Sequence, residues 1–242
     1  MTTVGALLDV RDLTVDYPVR HARTPYRAVD SVSLSIAPGE TLGLVGESGS
    51  GKSTICLSIL GLAPVTAGTI TFAGQDITRA TRAQRRTIGK DLQVVFQDPY
   101  SSLNPARTVG QALSEPLEVH EKLPAAQRRD RVAQMLERVG LPPDAASRYP
   151  AGFSGGQRQR IAIARALMLS PRLVICDEPV SALDLSVQAQ ILNLLADLQR
   201  DLSVAYLFVS HDQAVVTYMA SRIKVLTPPS EGPDHEKKPD HN

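Results

Sequence analysis

At 242 residues the chain is long enough for one large α/β domain, or for a core with a smaller inserted lobe. Apolar residues at 43% and charged residues at 21% describe an ordinary globular protein, and a formal net charge of +1 excludes a global field that draws the chain to nucleic acid or an anionic membrane. No segment approaches the roughly 20 continuous apolar residues of a bilayer-spanning helix, and no basic stretch leads into an apolar run at the start. The expected location is the cytoplasm, with any membrane span supplied by another chain.

In chain order, Leu7–Val15 and Val29–Ile36 alternate apolar with polar residues, which predicts half-buried antiparallel strands. Pro38-Gly39 marks a turn, and Thr41–Val45 is a short apolar run that enters a glycine-rich loop. Ser53–Leu62 reads as the following helix, and Thr69–Phe72 and Leu92–Phe96 as further strands. Beyond Asp98, the segments Gln111–Val119 and Arg128–Val139 carry apolar residues at helical spacing, broken by Pro116, Pro124 and Pro142-Pro143. They predict a helical lobe, with another helix at Gln157–Leu169. Leu173–Cys176 and Ala205–Val209 are continuous apolar runs, the pattern of central parallel strands, with a helix at Val187–Leu198 between them. Strand–loop–helix alternation on both sides of a helical insertion predicts an α/β fold. Cys56 and Cys176 show neither metal nor disulfide spacing and read as small core residues in a reducing compartment. From Thr227 the sequence is polar and proline-rich, a composition expected to be disordered, with His235 and His241 as solvated tail residues.

Gly46-Glu47-Ser48-Gly49-Ser50-Gly51-Lys52-Ser53-Thr54 fits G-x-x-x-x-G-K-[ST] between a predicted strand and a predicted helix. Glycines let the backbone curl around phosphates, and the freed N–H groups together with the helix N-terminus form a positive concavity. Lys52 is expected on the β- and γ-phosphates of a nucleoside triphosphate and the Ser53 hydroxyl on Mg²⁺. Leu173–Glu178 is an apolar strand ending in two carboxylates, and adjacent acids at the end of a buried strand are costly without a use. Asp177 is assigned to Mg²⁺, directly or through water, and Glu178 to accepting a proton from the attacking water. His211 follows another apolar run and is expected in the same crevice, on the γ-phosphate. Ser154-Gly155-Gly156-Gln157 opens a helix in the lobe and presents backbone amides and a hydroxyl, a second anion site that suits a neighbour's nucleotide.

These elements in this order resemble the nucleotide-binding subunits of ABC transporters over roughly Leu7–Leu226. Phe153-Ser-Gly-Gly-Gln157 looks like the family signature, with Phe in place of the commoner Leu. Gln97 matches the Q-loop, also a Mg²⁺ contact, Ser181-Ala-Leu-Asp184 the D-loop, and His211 the switch histidine. Tyr17 is similar to the aromatic that stacks on adenine, and Tyr26 competes for that role. Phe96-Gln-Asp-Pro-Tyr-Ser-Ser-Leu-Asn-Pro105 and Glu178-Pro-Val-Ser-Ala-Leu-Asp-Leu-Ser-Val-Gln-Ala-Gln190 look like the dipeptide/oligopeptide importer branch, which also includes nickel and glutathione importers.

The resemblance implies a P-loop NTPase (RecA-like) core with an antiparallel β subdomain, over 1–96 and 166–226, and an inserted α-helical subdomain at 97–165. It implies ATP and Mg²⁺, a second ATPase subunit facing this one head to tail, two integral membrane permeases and, indirectly, a substrate-binding protein. The chain would then sit peripherally on the inner face of the membrane, and no nucleic acid is expected. Family members usually continue past Ile223–Leu226 with a glycine-bearing hairpin; the polar tail here departs from that, as in a truncated cassette, and implies lower stability or weaker pairing. The competing classes are a soluble ABC ATPase and a degraded cassette. The first usually shows fused cassettes, long coiled coils or zinc motifs, and the second is opposed by intact Lys52, Asp177, Glu178 and His211.

Overall fold

The computed structural model describes residues 5–19, 24–98 and 102–228. An antiparallel sheet contains β1 (Leu8–Tyr17), β2 (Tyr26–Ile36), β4 (Ala67–Phe72) and β5 (Gln75–Asp76), in the order β2-β1-β4-β5. A parallel sheet contains β3 (Thr41–Gly46), β6 (Leu92–Val95), β7 (Leu173–Asp177), β8 (Ala205–Val209) and β9 (Arg222–Leu226), in the order β6-β7-β8-β3-β9. The helices are α1 (Lys52–Leu60), α2 (Arg82–Ile88), α3 (Val109–His120), α4 (Ala125–Arg138), α5 (Gly155–Leu167), α6 (Leu185–Leu202) and α7 (Gln213–Met219).

The period of two in β7 and β8 explains why both strands are apolar throughout. Leu173, Ile175, Leu207 and Val209 pack with Ile55, Cys56 and Ile59 of α1 and with the antiparallel sheet. Val174, Cys176, Tyr206 and Phe208 pack on the other side with Leu113, Leu136, Ile161 and Leu195 from α3, α4, α5 and α6. One sheet therefore separates two apolar clusters, and the helical lobe is continuous with one of them. Cys56 and Cys176 lie in different clusters, both free and buried. Burial pushes both thiols well above the ordinary range, so neither is a reactive thiolate.

Three differences from the sequence expectation have physical causes. Pro116 does not break its helix: α3 runs through it, from Val109 to His120. The missing bond and ring clash cost about 3 kcal/mol, but Leu113 and Leu117 on either side are fully buried and each contributes about 1.5–3 kcal/mol. Helix α2, absent from the sequence reading, buries only Ile88 and starts on a capping box between Thr81 and Gln84 rather than on an apolar stripe. Helix α7, also unanticipated, starts where Asp212 accepts from Ala214 N and Val215 N. The expected disorder of the tail, with His235 and His241, concerns residues that from 229 on lie outside those described.

Helix α7 lies directly on β3. A Cβ at Gly43 would stand 2.2 Å from Val216 Cγ1 and 2.9 Å from Ala220 Cβ, so the strand that feeds the glycine-rich loop has no room for a side chain here. Gly43→Ala is expected to destabilise the protein by about 1–3 kcal/mol through overpacking. At roughly 2–4 °C per kcal/mol in a domain of this size, thermal denaturation should register a fall of several degrees. An unchanged Tm would mean that α7 moves away freely.

Candidate active site

The loop between β3 and α1 is shaped by two left-handed glycines, Gly49 (φ 82°) and Gly51 (φ 89°). At Gly51 the requirement is double, because a Cβ would also meet the Ala28 carbonyl oxygen at 2.4 Å. Lys52 is only 7% exposed, and its Nζ donates to Gly46 O at 2.7 Å, to Glu47 O at 2.8 Å and to Ser50 Oγ at 3.4 Å. The lysine thus binds the loop's carbonyl oxygens from within. The N–H groups of the first turn of α1 have no intrahelical acceptor.

From Ser53, one residue into α1, Oγ donates to Asp177 Oδ1 at 3.3 Å at the end of β7. Burial pushes the Asp177 carboxyl above its usual range; the Ser53 hydrogen bond opposes this, the Glu178 charge adds to it, and the Lys52 charge opposes it. A carboxylate disfavoured by desolvation beside a serine hydroxyl is a donor set that a hard divalent cation suits, so Ser53 and Asp177 fit Mg²⁺.

Glu178 follows directly but points elsewhere. Its backbone is left-handed (φ 51°), its N–H donates to Val209 O at 2.9 Å, and Ser181 Oγ donates to its carbonyl at 3.1 Å. This turn brings Glu178 Oε1 to 3.1 Å from His211 Nδ1, after the end of β8. A left-handed non-glycine residue at a strand end is a strained conformation held by its surroundings.

These groups share a cleft of about 480 Å³, lined by Tyr17, Tyr26, Ala28, Ser48 to Thr54, Gln97, Glu178 and His211. Tyr17 and Tyr26 are direct cross-strand partners at the end of the β1–β2 ladder, so both candidate aromatics stand at one end of the cleft. Gly46 and Glu47 contribute carbonyl oxygens to Lys52 rather than lining, and Asp177 sits behind Ser53.

Ser154, Gly155, Gly156, Gln157 and Asp184 do not line this cleft. Ser154 caps α5 in a reciprocal box: its Oγ accepts from Gln157 N at 3.3 Å, and its N–H donates to Gln157 Oε1 at 3.0 Å. The box satisfies Gln157 N–H and leaves those of Gly155 and Gly156 without an intrahelical acceptor. Asp184 Oδ1 accepts from Val187 N at 2.9 Å and so caps α6. A Cβ at Gly156 would stand 2.4 Å from Val187 Cγ1, so the starts of α5 and α6 are in direct contact.

Two contributors escaped the sequence reading. Ala28 forms the floor under Gly51 and carries no chemical signal at all. Arg85 donates to the carbonyls of Ile59 and Ile77, clamping the C-terminal turn of α1, and looks like any surface arginine in the sequence.

A family profile described as ABC transporter matches residues 29–181. The glutathione import ATP-binding protein GsiA of Escherichia coli (strain K12) is 51% identical over 225 residues, covering 91% of this chain and 36% of the relative. The protein of that name from Shigella sonnei (strain Ss046) matches to the same extent. The chain thus spans about a third of the length of these curated relatives. Among solved structures, the dimeric post-hydrolysis state of the ATP-binding cassette MJ0796 with ADP and Pi superposes with a TM-score of 0.81 at 29% identity, covering 91% of this chain and 94% of that one. The cassette cbiO1 of Clostridium perfringens, part of the transporter complex cbiONQ, superposes at 0.80 with 28% identity, covering 92% and 85%. With the phosphate loop, the paired carboxylates and the two-sheet architecture already in place, these likenesses establish that the chain belongs to the ABC transporter family.

Proposed function

We propose that this cassette binds ATP with Mg²⁺, pairs head to tail with a second cassette, and hydrolyses the nucleotide to power an importer of small peptides. The observation that carries the reading is the separation of two anion-binding helix ends. The N-terminus of α1 opens into the chain's own cleft with Lys52, Glu178 and His211, whereas that of α5, with Ser154, Gly155 and Gly156, opens outside it. One triphosphate bound in the cleft needs a second chain to supply a Ser154–Gln157 segment, and Asp184 at the neighbouring helix start accompanies it.

Adenine stacks on Tyr17 or Tyr26, and Lys52 with the loop amides holds the phosphates. Mg²⁺ would be held by Ser53, by Asp177 directly or through water, and by Gln97; bound there, it would neutralise charge on the β- and γ-phosphates. Glu178 accepts a proton from water as the water oxygen bonds to the γ-phosphorus. The bond from that phosphorus to the bridging oxygen breaks, and its electron pair leaves with ADP. With Nδ1 on Glu178, His211 keeps Nε2 for the γ-phosphate.

A groove of about 660 Å³ between β6, α3 and α5 supports a permease partner. It begins at Phe96, next to Gln97, and includes Val119, two exposed apolar side chains at the lobe. A cytoplasmic segment of the permease seated there would sense movement of the lobe when the cleft fills. Among the described residues no helix is long and apolar enough to cross a membrane. Small peptides, glutathione among them, are the proposed cargo because the GsiA relatives are named for glutathione import.

Steady-state ATPase and nucleotide titration test the chemistry. Glu178→Gln is expected to retain ATP binding while losing about 10²-fold or more in kcat, the range of a general base; full turnover in that variant sinks the assignment. Lys52→Ala should weaken nucleotide binding itself. In the Glu178→Gln protein, light scattering should detect dimers with ATP but not with ADP, and wild-type specific activity should rise with protein concentration. Turnover by a monomer at a concentration-independent rate would overturn the paired site.

Gly51→Ala must either abandon φ 89° or push the Ala28 carbonyl away, so nucleotide affinity is expected to fall by more than about tenfold, the effect of 1.4 kcal/mol of strain. Unchanged affinity in a titration would show that the loop tolerates a side chain.

A further inference from the structure

Three features lie outside the groups used above: the exposed edge of β9, a cavity at the opposite end of the sheet beside Thr41, and the turn that precedes α5. We infer that Arg148 is a positioning residue for hydrolysis: it fixes the start of α5 to the helical lobe, so that Ser154, Gly155 and Gly156 are correctly aimed at the nucleotide of the paired cassette. The inference rests on the paired-site reading above.

The main chain of Arg148 is pinned on both sides. Its N–H donates to Ala145 O at 3.1 Å, and its carbonyl accepts from Val109 N, at the first residue of α3, at 2.9 Å. From that anchored position the side chain crosses the turn. Nη2 donates to Gly152 O at 2.7 Å, and the guanidinium carbon stands 4.2 Å from the centroid of the Phe153 ring. Phe153 is buried and immediately precedes the cap Ser154. A planar guanidinium can stack on a ring face while donating within its own plane, which an ammonium cannot do.

The opposite side of the turn is held from α5 itself, where Arg158 Nε donates to Pro150 O at 2.8 Å and Nη2 to Ala151 O at 3.2 Å. Three consecutive carbonyls, those of Pro150, Ala151 and Gly152, therefore accept from guanidinium groups reaching in from two directions. A loop held this way has little freedom to swing, and the axis of α5 inherits its direction. The same strut runs back to α3, whose Glu115, Pro116 and Val119 line the groove assigned to the permease. Arg148 thus joins the groove helix to the start of α5 without touching the chain's own cleft, whose lining does not include it.

The test uses the full-length chain, with Arg148→Met, Arg148→Lys and Ser154→Ala compared for Tm, for affinity of a fluorescent ADP analogue, and for kcat at saturating ATP and protein. Arg148→Met should leave nucleotide affinity within about twofold and lower kcat by about tenfold or more, since misplacing a catalytic group by about 1 Å costs up to 10²-fold. Arg148→Lys should fall between Met and wild type, because it restores a cation over Phe153 without the planar fork. Phe153→Leu should lower kcat alone but add little to Arg148→Met, as for two groups acting as one unit; it also carries the expectation if the Met variant fails to fold. Unchanged kcat in Arg148→Met overturns the inference, as does a parallel loss of Tm, nucleotide affinity and kcat, which marks a merely structural residue. If Ser154→Ala lowers kcat and Arg148→Met does not, the Arg148 role alone falls. If Ser154→Ala also leaves kcat unchanged, the paired-site reading falls with it.

Discussion

The hydrogen bond from Ser53 Oγ to Asp177 Oδ1 joins residues 124 positions apart and can form only if two strands end at the same edge of one sheet. In a parallel sheet every strand delivers its C-terminal end to that edge, whereas antiparallel strands would alternate. The order β6-β7-β8-β3-β9 uses all five ends. Strand β3 supplies the phosphate loop, β7 the two carboxylates, β8 leads to His211, and β6 to Gln97. Strand β9 closes the far side: a Cβ at Gly46 would stand 2.6 Å from Leu226 O, so its last carbonyl braces the beginning of the loop. Asp177 and Ser53 meet across the intervening β8.

Such a site is locally unfavourable, and the sheet beneath makes it tolerable. Glu178 adopts a left-handed conformation that costs an L-residue about 1–2 kcal/mol. Lys52 is almost fully buried, and Asp177 is partly desolvated. Against this stand β7 and β8, in which Leu173, Val174, Ile175, Leu207, Phe208 and Val209 are each no more than 1% exposed. At about 1.5–3 kcal/mol for each such side chain, the strands carry several times the cost of one strained residue. The strain also serves a purpose, since it directs two adjacent acids to separate tasks, Asp177 toward Ser53 and Glu178 toward His211.

What could be read from the sequence follows the same division. The loop 46–54, the apolar runs 173–176 and 205–209, and the acids after the first of them were legible because each is a contiguous string with one physical meaning. Helix α2 was not legible, because six of its seven residues are not buried and its stability lies in the Thr81–Gln84 box and the Arg85 clamp. The observed start of α6 at Leu185, two residues before the expected one, follows from Asp184, which the resemblance places in the D-loop and which also caps this helix. Pro116 misled because a local rule was outweighed by burial supplied from elsewhere in the chain. Ala28 and Gly43 were invisible in principle: their roles are distances to backbone or to another helix, and no residue type encodes a distance.

The two helix ends also account for why pairing would wait for nucleotide. Both α1 and α5 present N-termini, the positive ends of their dipoles, and Lys52 and Arg148 add full positive charges near them. In the pairing proposed above these ends would approach each other across the cleft, an arrangement that like charge opposes when nothing lies between. In that reading a triphosphate would reverse the sign of the interaction, its oxygens accepting from the loop amides on one side and from the Gly155 and Gly156 amides on the other. Hydrolysis would then remove the γ-phosphate and leave the second helix without its anion. A chain with a net charge of only +1 has no global repulsion to hold two copies apart. The opposition would be local to the site, where the γ-phosphate is cleaved, so that one bond cleavage would control association of whole subunits.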